Sequence, residues 1–338
     1  MTRPLAAVIG AGLTGLATAS RLTEAGIRCV LFDKSRGVGG RMATRRAECE
    51  GATLRFDHGA THLTQTQLSE IAHLIGPAST SEPDIDPSLR KFCDAANLIP
   101  WRVGGQLEPL GWVSSSGINA VCKAVAAHLD IQLDTPISQA VWHSTERQWR
   151  LAIENAQLPA SFDILIVTTP PIQAAKILAP YQGPIMSTLD KMQPKACWTL
   201  MLGTRDPMKK SALSHRGEII DRIIAEHSKD RPHPKGLSTY TVQTTRDWSQ
   251  ENVEAPAEEV TQAILLELES LGWDGSAIEH RQIHRWLYAG VANPGSTPCL
   301  TDREYRLICA GDWCLGNNLD SALSSGKAAA QEALQQLS

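Results

Sequence analysis

Apolar and polar positions along the chain fall into strand-like and helix-like rhythms that change at glycines and prolines. Residues 5–9 (Leu-Ala-Ala-Val-Ile) are a short continuous apolar run and predict a strand. Gly10, Gly12 and Gly15 follow, and Leu13, Leu16, Ala17 and Leu22 recur at helical spacing up to Gly26. A second apolar run at 29–32 ends in Asp33. Ile164 to Val167 is apolar at every position, as a strand covered on both faces must be, and a helix is expected from Ile172 to Leu178. Apolar stripes predict helices at 67–75 (Leu68, Ile71, Ala72, Ile75), within 110–129 (Ile118, Val121, Cys122, Val125, Leu129), at 256–271 and at 319–337. Serines 114–116 are the expected cap of the second of these. Strands are expected at 131–133, 137–142, 149–153, 191–202, 237–243 and 306–312, and a pair around the Gly-Gly turn of 101–107. Residues 77–87, rich in Pro, Ser and Asp, read as loop.

The opening order of strand, glycine turn, helix, strand and acid has a chemical reading. Gly10 permits the tight turn, Gly12 lets a pyrophosphate approach bare backbone, and Gly15 lets the helix pack on the strand. The helix start offers free N–H groups to a phosphate. Asp33 stands where it can accept hydrogen bonds from a ribose diol. The plainer alternative is a βαβ unit with a tight turn and no ligand.

The segment 33–42, Asp-Lys-Ser-Arg-Gly-Val-Gly-Gly-Arg-Met, adds a second glycine cluster and two arginines. Further on come Phe56-Asp-His-Gly-Ala-Thr-His62 and Cys309-Ala-Gly-Asp-Trp-Cys314. These three segments, in this order, resemble the flavin amine-oxidase superfamily. Thr245-Arg-Asp-Trp-Ser-Gln-Glu-Asn252 and Ile283-His-Arg-Trp-Leu-Tyr-Ala289 resemble segments of its renalase-like branch, particularly the bacterial members. The resemblance spans nearly the whole chain. It implies an α/β fold: a Rossmann-like FAD-binding domain of the glutathione-reductase/amine-oxidase type, with an interleaved mixed α+β substrate domain. The expected division is 1–62, 111–178 and 290–338 for the FAD-binding domain, and 63–110 and 179–289 for the substrate domain.

Carried onto the matching positions, the resemblance implies FAD contacts from Gly10, Gly12, Leu13, Thr14, Gly15, Asp33, Lys34, Arg36, Gly39, Gly40, Arg41 and Met42. It adds Gly59, Ala60, Thr61, His62, a backbone position near Ile137, and Gly311, Asp312, Asn318 and Leu319. Arg45 and Arg46 read as solvated charge. The cofactor is expected to be held without a covalent bond, because the Ser-Gly-Gly-Cys segment of the tethering relatives does not occur.

Composition narrows the partners. A chain of 338 residues with 42% hydrophobic and 20% charged residues is an ordinary globular protein with room for two cores. A net charge of −4 gives no reason to expect nucleic acid. Eight cysteines (Cys29, Cys49, Cys93, Cys122, Cys197, Cys299, Cys309, Cys314) show no metal-finger spacing and suggest a reducing, cytoplasmic setting. No metal site is expected. No apolar run is long enough to cross a bilayer, and the hydrophobic tail of the mitochondrial monoamine oxidases is not seen, so no membrane partner is expected.

The renalase-like branch oxidises the 2- and 6-dihydro isomers of NAD(P) to NAD(P)+ and passes electrons to oxygen. Loss of a hydride restores pyridinium aromaticity, so no proton has to be pulled from carbon. A flat apolar slot with a few polar anchors suffices. Trp198, Trp248, Trp286 and Tyr288 are candidate walls, and His62, His284 and Arg285 candidate anchors. Matching 321–326 to the family's last helix puts Asn318 where the amine oxidases keep one ring of an aromatic pair. Lys195 lies near their flavin-facing lysine, although an exposed strand lysine is the plainer reading. Two other functions stay open: an amine oxidase or desaturase on the same fold, and a flavin-carrying binding or sensor protein without turnover.

Overall fold

The computed structural model describes residues 3–75, 87–102, 109–154, 156–209 and 215–338. Its centre is a six-stranded sheet in the order Cys299–Asp302, Leu307–Ala310, Ile164–Val167, Leu5–Ile9, Arg28–Phe32, Asp130–Gln132. All neighbours are parallel except the first pair. The continuous apolar runs are explained by this position. Val8, Leu31, Ile166 and Ile308 face one core, whereas Ala7, Ile9, Phe32, Leu165, Val167 and Cys309 face another. Each strand residue is therefore needed on one side or the other.

The helix Leu13–Glu24 follows the first strand directly. A Cβ on Gly15 would stand 1.9 Å from the Gly10 carbonyl oxygen, so only glycine allows that approach. The carboxy-terminal helix Leu319–Leu337 lies against it through Gly326, with Thr14 and Thr18 hydroxyls donating to the Ala322 and Gly326 carbonyls.

A four-stranded antiparallel sheet runs Ile220–Ala225, Ser238–Thr244, Pro194–Thr204, Ile278–Val291. Its two faces follow the period-two rule. Trp198, Leu200, Leu202, Tyr240, Val242 and Ile223 pack with the helix Ala257–Ser270. Arg222, Gln243, Thr199 and His284 stand in register across the strands. A three-stranded sheet (Ile137–His143, Gln148–Ile153, Ala156–Phe162) and two hairpins complete the fold.

Several expectations are corrected. The serines do not cap the helix Asn119–Ala126: Ser114 is in a strand and its hydroxyl donates to the Ala96 carbonyl. The strand pair near Trp101 is Leu98–Trp101 with Gly111–Ser114. Residues 103–107 of the expected turn lie outside the described residues, as does most of the 77–87 loop. Residues 246–251 form a short helix capped by the Thr245 hydroxyl. The hairpin Thr44–Cys49 with Ala52–Asp57, the helix Pro87–Ala96 and the strand Ile220–Ala225 had no clear sequence rhythm.

Candidate flavin site

A cleft of about 1430 Å³ opens at the carboxyl ends of the central parallel strands. Gly10, Gly12, Leu13, Thr14, Asp33 and Lys34 line it from the first βαβ unit, and Gly39, Gly40, Arg41 and Met42 from the second glycine cluster. Gly59, Ala60, Thr61, His62, Ile137, Gly311, Asp312, Asn318 and Leu319 also line it. Gly15 does not; it is spent on packing the helix against Gly10. Arg36 is an exposed side chain outside the lining.

Short backbone contacts hold these loops together. Gly39 N–H donates to the Ala11 carbonyl at 2.8 Å, so the two glycine clusters lie side by side. Asp33 accepts from the Ala11 N–H (2.6 Å) with one oxygen and from the Ser35 N–H (2.8 Å) with the other. Arg41 makes a two-pronged ion pair with the buried Asp312 and donates to the Ala289 carbonyl at 3.0 Å. The Asn318 side chain accepts the Ser321 N–H at 2.8 Å and starts the last helix at the cleft wall.

This arrangement fits a dinucleotide cofactor. A Cβ on Gly12 would meet nothing within 4 Å, so the bare backbone faces open space at the helix start. The residues that would hold its phosphates are the Gly12–Thr14 turn and Arg41, and Asp33 would meet the ribose.

The far end of the cleft is walled by the four-stranded sheet. Trp286 and Tyr288 line it, together with His62, Cys197, Gln243 and Thr244. The Trp286 indole N–H donates to the His58 carbonyl at 2.9 Å. Its ring stacks on the His58 ring (centroids 5.0 Å apart, 24° between planes) and meets the His284 ring edge-on. Burial, followed by the charges of His284 and Arg45, brings the His58 pKa down to about 4, so the ring supporting Trp286 is neutral. His62 lies beside Trp101 and within 3.0 Å of the Thr61 hydroxyl; burial and then Lys229 and Arg222 lower its pKa.

The other candidates do not contribute side chains to this wall, each for its own reason. Trp198 is on the opposite face, in the core, with its indole N–H on the Asn252 carbonyl. Trp248 packs against that same core. Arg285 is among the residues that line the cleft, but its guanidinium lies over the Trp198 ring and donates to the Val253 carbonyl. His284 supports Trp286 from behind without lining the cleft. Lys195 is turned to Asp247 at 2.7 Å.

One feature was missed in the sequence. Asp57, Glu226, Lys229 and Arg231 form a fully buried charge quartet beneath the cleft. Lys229 Nζ also donates to the Thr61 carbonyl at 2.9 Å, and Arg231 donates to the Ser114 carbonyl. Burial alone would raise the Asp57 pKa, but Lys229 and Arg231 beside it hold it below the ordinary value. Only the odd charge content of 226–231 hinted at it, since burial leaves no mark on an irregular segment.

Two family models match the chain. An NAD(P)-binding Rossmann-like domain covers residues 8–76, and the flavin containing amine oxidoreductase family covers residues 98–334. The chain belongs to the flavin containing amine oxidoreductases. It is therefore a flavin-dependent oxidoreductase. Among solved structures, a protein provisionally assigned as a protoporphyrinogen oxidase, from Exiguobacterium sp. 255-15, is similar with a TM-score of 0.69 and 15% identity, covering 99% of this chain and 100% of that one. Cyclohexylamine oxidase from Brevibacterium oxydans IH-35A is similar with a TM-score of 0.66 and 13% identity, each chain covered to 99%. Reduced UDP-galactopyranose mutase is similar with a TM-score of 0.67 and 14% identity, covering 99% of this chain and 94% of that one. At these identities the likeness concerns the fold. Among the described residues, no helix is long and apolar enough to cross a membrane and no group of side chains suits a metal ion.

Proposed function

We propose that the protein is an FAD-dependent oxidase of the renalase type. It oxidises 2- or 6-dihydro isomers of NAD(P) to NAD(P)+ and reduces dioxygen to hydrogen peroxide. The dinucleotide gives up a hydride; dioxygen takes those two electrons and that proton, with a second proton from water. Residues 1–62, 111–178 and 290–338 would hold the cofactor, and 63–110 and 179–289 would shape the substrate slot.

The observation that carries this reading is the flat wall of Trp286. Three contacts fix its plane, and none of them needs a charged group. Tyr288 and His62 line the same space, so a planar ring has an apolar face to lie on and polar tips at its edge. A bound flavin supplies the two-electron chemistry. The chain supplies the slot, the orientation and the exclusion of water.

Among the described residues the lining contains no unengaged carboxylate, and its one histidine, His62, stands beside the Thr61 hydroxyl; a hydride donor needs no base. The lining carboxylates are Asp33, Asp221 and Asp312, and each is engaged, by backbone N–H groups, Arg222 and Arg41 respectively. Non-covalent attachment is supported by the lining's cysteine content among the described residues, which is Cys197. Burial raises its pKa, so the thiol stays protonated. Cys314 is buried away from the cleft.

Family membership favours amine oxidation as the second reading. The test is turnover of 6-dihydro-NAD beside a panel of primary and secondary amines, with peroxide measured. One peroxide per dinucleotide, and none from amines, supports the proposal; the reverse pattern replaces it.

A further inference from the structure

Two arginines at the end of the cleft beside the four-stranded sheet take no part in the cofactor contacts described so far. Arg222 is on the strand Ile220–Ala225, paired with Gln243, and Arg246 follows the strand Ser238–Thr244. The Thr245 N–H donates to the Ile219 carbonyl at 2.7 Å, which brings the two segments side by side. Both arginines line the cleft. Arg222 gives its Nε to Asp221 at 2.8 Å, and among the described residues its two Nη groups have no acceptor. Arg246 makes one long contact, 3.3 Å, to the Asn317 carbonyl. Asp221 is the one carboxylate lining this end of the cleft among the described residues, and it is spent on Arg222. Asp247 points to Lys195 instead.

We propose that Arg222 and Arg246 form a clamp for the phosphates of the substrate, so that this site selects an anionic, phosphate-bearing substrate over a neutral or cationic one. The proposal rests on the renalase-type reading and names what that reading leaves open, the part of the molecule that is recognised. A guanidinium with its two Nη groups free can meet two phosphate oxygens at once. The chain carries a net charge of −4, so a local surplus of positive charge at this end of the cleft is a feature of the site and not of the whole surface. A protonated amine would meet the same two charges as a repulsion.

The clamp is tested on the FAD-loaded protein with ADP-ribose, which carries the phosphates without the reacting ring. Binding is read by calorimetry for the wild type, Arg222→Gln, Arg246→Gln and the double variant, each checked for an unchanged flavin spectrum. Each substitution should weaken ADP-ribose roughly tenfold, and the double variant about a hundredfold. In turnover, the preference for 6-dihydro-NAD over uncharged dihydronicotinamide riboside, as the ratio of kcat/KM, should fall by a similar factor. ADP-ribose binding that ignores both substitutions overturns the clamp, as does an equal loss for dinucleotide and riboside. Arginine-dependent ADP-ribose binding with no oxidation of either dihydro isomer leaves the clamp standing and removes the oxidase reading.

Discussion

Arg41 grips Asp312 with both prongs of its guanidinium, Nη1 to Oδ2 at 2.8 Å and Nη2 to Oδ1 at 2.6 Å. The two residues are separated by 271 positions, and each follows a glycine turn that lines the cleft. The pair closes the cofactor loops of the two chain ends onto one another. It also keeps a carboxylate that is 5% exposed from being left alone.

Breaking this pair should loosen the flavin before it unfolds the protein. Arg41→Ala is expected to weaken FAD at least tenfold, roughly the value of a charge-assisted pair. Asp312→Asn should cost less, because the amide still accepts from Arg41. Fluorescence of released FAD on dilution measures both. Equal retention in Arg41→Ala and wild type would remove Arg41 from the cofactor site.

The glycines of the first turn separate folding from binding. Gly15→Ala places a methyl 1.9 Å from the Gly10 oxygen and should prevent native folding. Gly12→Ala places one in open cleft. It should give a folded apoprotein with near-normal melting and little FAD uptake. Circular dichroism and flavin titration on the same samples distinguish the outcomes.

His58 makes stability depend on pH. Its folded pKa of about 4 lies below the ordinary 6.5, so the unfolded chain binds the proton first as pH falls. The contribution is full above pH 6.5 and is lost as pH falls toward 4, amounting to about 3 kcal/mol. His58→Phe keeps a ring under Trp286 and removes the titration. Urea midpoints taken across this window should show a flatter slope in the variant, by close to one proton.

The buried quartet is balanced, two carboxylates against two cations. Lys229→Met leaves Arg231 to serve both acids and should destabilise by about 3–5 kcal/mol. Asp57 has a depressed pKa, so its stabilising share is present above the ordinary carboxylate range and is lost as pH falls through the folded value. Without Lys229 that folded value rises, and acid unfolding should begin at higher pH. Equilibrium unfolding of the apoprotein at two pH values checks the sign.

The cofactor half was readable because its physics is local. Turn glycines, a strand-end acid and a Gly-Asp pair sit at fixed offsets, and the helix at 319–337 shows the same ends in pattern and in structure. The substrate half was less readable for two reasons. Its candidates were drawn from aromatic and charged identity, whereas strand alternation decides which of them face the cleft: Trp286 does and Trp198 does not. Applied to 283–288, the period of two would have separated the Arg285 side chain from Trp286 in advance. The quartet and the Arg222–Arg246 pair join segments whose approach depends on tertiary pairing, which no short window of sequence records.

In the proposed reaction a planar dihydronicotinamide meets a flavin in this cleft. Anaerobic mixing of the purified protein with 6-dihydro-NAD, followed by visible absorbance, tests that directly. The expected result is a yellow protein whose flavin band bleaches within the mixing experiment and returns on admitting air, with one NAD+ formed per flavin. A band that persists with the dinucleotide in excess, or a colourless protein that takes up no FAD, would contradict it.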